Sequence, residues 1–174
     1  MRSPPLIREQ SSTFWASSSV PTLWFVDTSV LVNPLNLHGF NQDKEAVADG
    51  LKQRLDAKNT LILPITAIIE TGNHIAHHGD GSHRRVVAEK FATILQHTRN
   101  GTAPWQLHSV QWDSAFLEHV ISGASTGMTL VDQAVNRMGR GDLCVLAERE
   151  AYRRRSGIKD VRVWSLDAHL RAHA

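Results

Sequence analysis

Cysteine is nearly absent from this chain: Cys144 is the only one among 174 residues. A single cysteine excludes a disulfide within the chain and a zinc site built from several cysteine thiolates, and it is typical of a reducing cytoplasm. Long apolar runs are also absent, because the best ones, LWFV and LILPI, are much shorter than the roughly 18 residues that cross a bilayer. We therefore expect a cytoplasmic protein that does not cross a membrane.

Neither sign of charge dominates. Lysine and arginine number 19 against 17 aspartates and glutamates, so the formal net charge is +2, and this balance allows a polyanionic partner without requiring one. Hydrophobic residues make up 41% of the chain and charged residues 21%, which excludes a disordered or fibrous body. Arginines concentrate at 84–85 and again at 149–155, where a solvated helix face is an alternative to a phosphate-binding surface.

Residues 1–20 differ in composition from the rest of the chain. They hold six serines and two prolines, and their apolar residues follow neither a helical nor an alternating pattern. This composition is typical of a tail outside the folded core. We therefore predict a serine-rich tail at 1–20 and one folded domain at 21–174.

Predicted strands and helices alternate along residues 21–174. Continuous apolar segments predict strands, and apolar residues spaced by three or four predict helices. Strands alternating with helices indicate a mostly parallel sheet covered by helices on both faces, which is a three-layer α/β/α sandwich. The predicted strands are 23–26, 61–63, 107–110 and 161–165. A short helix is predicted directly after Asp27, and another runs through 86–95 and ends at 100–101. The other predicted helices are 42–58, 65–78, 114–122, 128–138 and 142–155.

Four acidic residues lie close to the ends of predicted strands or helices: Asp27 ends the first strand, Glu70 lies on the helix after the second, Asp142 opens a helix, and Asp167 follows the last strand. The ligand crevice of an open parallel sheet lies beyond the carboxyl ends of its strands, so three of these acids can converge there. Each also has a purely structural explanation. Asp27 and Asp142 could cap helices, Glu70 could belong to a polar helix face, and Asp167 could begin a terminal turn.

The four acids lie in segments that together resemble a known family. FVDTSVLVN, LPITAIIETGNHI, GRGDLCVLAERE and VWSLDAHL, in this order and spacing, resemble the four acidic blocks of the PIN-domain nucleases, notably the VapC-type toxins. The resemblance covers about residues 22–170. It implies a PIN-like fold and a catalytic, metal-binding set formed by Asp27, Glu70, Asp142 and Asp167. It also implies that three polar residues support the acids or a metal-bound water: Thr28, Ser29 and Ser165.

The chemistry of clustered carboxylates points in the same direction. Several carboxylates in one crevice need a counter-charge, and an all-oxygen ligand set suits Mg²⁺ or Mn²⁺, which accept phosphate oxygens as further ligands. Hydrolysis of phosphodiesters is the natural reaction for such an ion, with arginines such as Arg140 and those at 149–155 holding phosphates. Single-stranded RNA is the expected substrate, because unpaired strands bend into a crevice that a stiff duplex does not enter.

The resemblance further implies the toxin of a type II toxin-antitoxin pair, with a cognate antitoxin as partner. Because unpaired strand edges are usually covered, we also expect the antitoxin or a second copy of the chain, in a homodimer, to cover apolar surface at the short C-terminal edge of the sheet. A housekeeping RNA-processing nuclease of the same fold would have the same sequence features, and a non-catalytic RNA-binding or partner-binding module is a third possibility. All four acids are present, which argues against the non-catalytic alternative.

Histidines form a rival candidate site. Of ten histidines, His74, His77, His78 and His83 lie close together in sequence with Asp80. His74 and His78, four residues apart, could share a helix face and hold zinc, although the chain lacks an HExxH motif. A solvated, histidine-rich helix end is the alternative interpretation.

Overall fold

The β-strands of the computed structural model, which describes residues 21–173, form one parallel sheet. Strand β1 (Leu23–Val26) lies between β2 (Thr60–Ile62) and β3 (Val161–Trp164), with Phe25 opposite both Ile62 and Val163. All three strands run in the same direction, so their carboxyl ends share one edge. The α/β class and the parallel sheet are confirmed, and the predicted tail at 1–20 lies outside the described residues.

The central strand is apolar because both of its faces are buried. Val26 packs into a core on one face with Leu31, Leu61 and other apolar side chains, whereas Phe25 packs into a second core on the opposite face with Leu146. Successive side chains of a strand point to opposite faces, so a strand between two helical layers needs an uninterrupted apolar run. This burial is the physical basis of the three-layer arrangement.

Helices cover both faces of the sheet. The core that contains Val26 is closed by α1 (Thr28–Leu31), α2 (Lys44–Asp56), α3 (Ile65–Ala76) and α4 (Gly81–Arg99). The core that contains Phe25 is closed mainly by α5 (Ser114–Ile121), α7 (Arg140–Ser156) and α8 (Ala168–Arg171), with the short α6 (Leu130–Val135) beside them. Within residues 21–173, no helix combines the length and the apolar character that crossing a bilayer requires.

The predicted helix at 128–138 is longer than the observed α6. Thr129 caps α6, because its hydroxyl accepts a hydrogen bond from the Asp132 backbone N–H. In turn, the Asp132 carboxylate accepts a hydrogen bond from the Thr129 backbone N–H. The helix stops at Val135, because Arg137 adopts a left-handed backbone with a φ of 64°.

The strand predicted at 107–110 does not form, so the described part of the chain has three strands instead of four. Only Gln106 pairs with the sheet, through a single parallel bridge to Ile62. Beyond that bridge, His108 turns inward to a carboxylate of Glu148, and the Ser109 carbonyl accepts a hydrogen bond from Arg155. Because these hydrogen bonds join the segment to α7, its residues do not pair with β2 beyond Gln106.

Candidate functional site

Asp27 lies at the carboxyl end of β1 and is almost completely buried, with 2% of its surface exposed. Its Oδ2 atom accepts hydrogen bonds from the Ser29 backbone N–H (3.2 Å), the Ser29 hydroxyl (2.5 Å) and the Ser165 hydroxyl (2.8 Å). The predicted helix cap is therefore confirmed, since Asp27 caps α1. Its Oδ1 atom is also buried, yet no donor within residues 21–173 reaches it. A buried carboxylate oxygen without a partner is costly, so this atom requires an explanation beyond capping.

Asp167 lies at the carboxyl end of β3, beside Asp27. Its Oδ1 atom accepts hydrogen bonds from the backbone N–H groups of His169 (2.7 Å) and Leu170 (3.1 Å), so Asp167 is the N-cap of the short helix α8, where the sequence suggested a terminal turn. Ser165 connects the two acids, because its hydroxyl donates to Asp27 and accepts the backbone N–H of Asp167 at 3.0 Å.

Glu70 reaches the same region from α3. Its Oε2 atom accepts a hydrogen bond from the Thr28 hydroxyl at 3.0 Å, so the residue after Asp27 holds the next acid. Burial raises the pKa of the Glu70 carboxyl above its ordinary value and the negative charge of Asp27 adds to this rise, while the Thr28 hydrogen bond and the charge of His74 oppose it. The family resemblance implied that Thr28, Ser29 and Ser165 support the acids. In the structure, the hydroxyl of each of the three donates a hydrogen bond to Asp27 or Glu70.

Glycine at position 141 makes room for the Glu70 carboxylate against the first turn of α7. A Cβ atom at Gly141 would lie only 1.7 Å from Glu70 Oε1. Any other residue at this position would push the carboxylate out of its place, because heavy atoms do not approach so closely. Sequence reasoning gave this glycine no role.

Asp142 does not cap α7, which corrects the prediction for this residue. The helix begins one residue after Gly139, so Asp142 lies in its first turn, and its Oδ2 atom accepts the Gly139 backbone N–H at 3.2 Å. Burial, together with the negative charges of Asp27, Glu70 and Asp167, raises the pKa of Asp142 from 3.8 to about 6, while the Gly139 hydrogen bond opposes this rise. The four predicted acids therefore lie close enough together for their charges to interact.

The residues of this acidic group fit a hard divalent cation. The candidate ligands are all carboxylate oxygens, the set that Mg²⁺ and Mn²⁺ prefer, and the unpartnered Oδ1 of Asp27 is an oxygen that such an ion would satisfy. The group is open: among the described residues, the carboxylates do not form a set of three with oxygens mutually within 4.8 Å. Mg²⁺ retains several waters and binds through one or two carboxylates, so it does not need a closer set.

A second buried carboxylate, Glu148, fixes the helices that carry the acids. Its Oε1 atom accepts the Thr66 backbone N–H (2.9 Å) and hydroxyl (2.5 Å), and its Oε2 atom accepts the Ile65 backbone N–H (3.1 Å) and His108 Nε2 (2.9 Å). Glu148 on α7 thus binds the first turn of α3, on which Glu70 lies. The only signal in the sequence is a glutamate within the apolar run LCVLAE of α7.

The arginines predicted to hold phosphates differ in their surroundings. Those at 149–155 contact other parts of the chain: Arg149 donates to the His173 carbonyl, Arg153 and Arg154 pair with Glu150, and Arg155 donates to the Ser109 carbonyl. Arg140 is exposed in the first turn of α7, two residues before Asp142, and has no ion-pair partner among residues 21–173. Arg140 is therefore the better placed of these arginines to contact a phosphate beside the acids.

The predicted zinc pair of His74 and His78 does not form. Helix α3 ends at Ala76, so His78 leaves the helix face that carries His74, and the His74 ring packs against Phe40 instead, with centroids 4.6 Å apart. His78 instead lies beside His83 and His38, and His38 is not among the candidate histidines of the sequence analysis. This second cluster is separate from the acidic group.

No family model matches the chain, and a search of curated proteins finds no match either.

Proposed function

We propose that this chain is a Mg²⁺- or Mn²⁺-dependent endoribonuclease of the PIN-domain type, which cleaves single-stranded RNA. The observation that carries the proposal is the buried Oδ1 atom of Asp27, which no donor among residues 21–173 reaches, in a group of four interacting acids at the carboxyl ends of β1 and β3. A purely capping role accounts for one oxygen of Asp27 and leaves the other unsatisfied.

In this proposal, Asp27, Glu70 and Asp142 hold the ion, and Asp167 orients the attacking water. An ion held by these residues would supply activation of water at neutral pH and neutralisation of charge on the phosphoryl oxygens. Ser29 and Ser165 hold the buried carboxylate of Asp27 in place through its other oxygen, and the exposed guanidinium of Arg140 contacts the RNA backbone.

We further propose that the protein acts as the toxin of a toxin-antitoxin pair. Four apolar side chains on α5 and α6 are more than half exposed, which supports a protein partner on this face: Leu117, Ile121, Val131 and Val135. Expression of the chain alone should arrest growth of its host cell, and co-expression of a small DNA-binding protein encoded beside it should restore growth. Growth arrest that no such neighbour relieves would favour a housekeeping nuclease.

Cleavage of a labelled single-stranded RNA tests the nuclease activity. We expect cleavage with Mg²⁺, none with excess EDTA, and products that carry a 5′-phosphate and a 3′-hydroxyl, because a water attacks the phosphorus. Asp27→Asn should lower the rate by orders of magnitude. Asp113→Asn is the matched control, since Asp113 caps α5 through the Phe116 N–H and does not belong to the acidic group.

Two results would contradict the proposal. Cyclic 2′,3′-phosphate ends formed in EDTA would mean that the 2′-hydroxyl is the nucleophile. Equal activity in Asp27→Asn and Asp113→Asn would mean that the acids act only as helix caps.

A further inference from the structure

Three histidines from two separate regions of the chain meet on the surface of the α1–α4 layer. His38 lies in the connection between α1 and α2, His78 follows α3, and His83 lies in the first turn of α4. The His38 and His83 rings stack with centroids 3.8 Å apart, and the His78 ring lies 4.7 Å from that of His83. One ring nitrogen from each residue lies within 4.8 Å of the other two.

We propose that His38, His78 and His83 bind a zinc ion, with a water as the fourth ligand. Imidazole nitrogen suits zinc, which binds it at about 2.0–2.1 Å in tetrahedral geometry, so two nitrogens on one ion stand roughly 3.4 Å apart. The present separation of at most 4.8 Å closes to that value through small rotations of side chains that are exposed or only partly buried.

Two of the three rings already present a nitrogen lone pair. His83 Nε2 accepts the His38 backbone N–H at 3.4 Å, and His78 Nδ1 accepts the Asp80 backbone N–H at 3.3 Å. A nitrogen that accepts a hydrogen bond is unprotonated, which is the form that binds a metal. Both bonds are long and therefore weak, so little stability is lost when the rings turn toward an ion.

The backbone around the three histidines holds them in this arrangement. The turn that presents His38 contains Asn36 and Gly39, both in the left-handed region, with φ values of 58° and 88°. Asp80 caps α4 by accepting the N–H groups of Ser82 and His83, and its carboxylate is close enough for its charge to act on His78 and His83. Asp80 thus both fixes the turn and supplies a negative charge beside the cation.

A zinc ion at this point would join the α1–α2 connection to the turn between α3 and α4. His38 and His83 are 45 residues apart in sequence, so the ion would close a long loop and stabilise the folded state by restricting the unfolded chain. Helix α1 is capped by Asp27, and α3 carries Glu70, so the zinc would brace segments adjoining two of the elements that hold the acids.

Isothermal titration calorimetry tests the site: zinc is titrated into the untagged full chain in the presence of excess Mg²⁺. Mg²⁺ favours carboxylate and water ligands, so it occupies the acids and leaves the imidazoles to zinc. We expect one zinc ion per chain and a melting temperature that rises with zinc concentration. Co²⁺ in place of zinc should give the intense visible absorption of a tetrahedral complex.

Single substitutions identify the ligands. His38→Gln and His78→Gln, on different elements, should each weaken zinc binding by more than the roughly 10–100-fold that loss of an outer-shell partner costs. His77→Gln is the matched control, because His77 is adjacent in sequence, exposed, and outside the cluster. Melting of each variant in EDTA verifies that it folds.

Failure of this proposal is distinguishable from failure of the nuclease proposal, since the measurement is zinc affinity and not RNA cleavage. Absence of saturable zinc binding by the wild-type chain would overturn the proposal. Equal zinc affinity in His77→Gln and His78→Gln would also overturn it.

Discussion

Replacement of Asp142 by asparagine tests whether the acids form a group of mutually repelling charges or act only as helix caps. The asparagine Oδ1 atom can still accept the Gly139 N–H, so the hydrogen bond to the start of α7 is kept and only the charge is removed. In the metal-free protein this charge is unfavourable, because burial and three neighbouring carboxylates raise the pKa of Asp142 to about 6. We therefore expect Asp142→Asn to stabilise the protein in EDTA.

The magnitude follows from the pKa. A rise from 3.8 to about 6 corresponds to roughly 3 kcal/mol at 1.36 kcal/mol per pKa unit, and partial exposure of the side chain to solvent reduces this to about 1–2 kcal/mol. Loss of a negative charge in the first turn of α7 costs about 0.3–1 kcal/mol. The net gain in the free energy of unfolding is therefore about 1 kcal/mol, within a range of about 0–1.7 kcal/mol, and each kcal/mol raises the melting temperature by roughly 2–4 °C in a domain of this size.

The pH dependence of this gain has a definite sign. Because the folded-state pKa of Asp142 lies above its unfolded value, folded wild-type protein binds more protons than unfolded protein between pH 3.8 and about 6. The penalty of the charge is fully present above about pH 6 and disappears as the pH falls toward 3.8. The stability difference between Asp142→Asn and wild type should follow the same course.

Thermal melts in EDTA at pH 8, 6 and about 4 measure this difference, with Asp132→Asn as the control. Asp132 occupies the equivalent position in the first turn of α6, but its pKa is lowered by the hydrogen bonds of Thr129. Asp132→Asn should therefore destabilise the protein at pH 8. If Asp142→Asn destabilised it as well, or if its gain did not change with pH, the acids would not form a mutually repulsive group.

Three further outcomes follow from the structure. Gly141→Ala should leave the urea unfolding midpoint unchanged or raise it, since alanine favours helix by up to about 1 kcal/mol relative to glycine. The same variant should lose RNA cleavage, because the added Cβ atom displaces the Glu70 carboxylate, and a fully active variant would refute this. Glu148→Gln should lower the free energy of unfolding by about 3 kcal/mol in urea titrations, because an amide NH₂ would face buried N–H donors, and a loss under 1 kcal/mol would argue against the network. Light scattering at micromolar concentration should show a dimer that Val135→Asp dissociates, and a monomeric wild-type chain would exclude a second copy as the occupant of the α5–α6 face.

The elements that local pattern determines could be predicted from the sequence. The run LWFV is apolar at every position because β1 is buried on both faces, so it was recognisable as an internal strand without knowledge of its neighbours. Asp27 follows β1 directly, Asp167 lies shortly after the end of β3, and the capping geometry of both is local. Helices α2 and α5 were predicted to within a few residues for the same reason.

Features that depend on distant partners could not be predicted. The segment 107–110 has a strand-like composition, but its backbone and His108 are engaged by α7, and His108 lies 40 residues from Glu148 in sequence. His38 has no local feature that connects it with His83. Asp142 resembled a cap because the true start of α7 depends on Gly139, whose role as the N-cap is visible only in the folded backbone.

The strand order has a consequence for protein synthesis. Of the three strands in the described part of the chain, β1 leaves the ribosome first and its neighbour β3 leaves it last, and the hydrogen bond from Ser165 to Asp27 spans 138 residues. At roughly 5–20 residues per second, this interval lasts on the order of 10–30 seconds. Throughout that time Asp27 lacks both Ser165 and Asp167. The acidic group therefore assembles only after residues 165–167 have left the ribosome, which delays any activity that depends on all four acids.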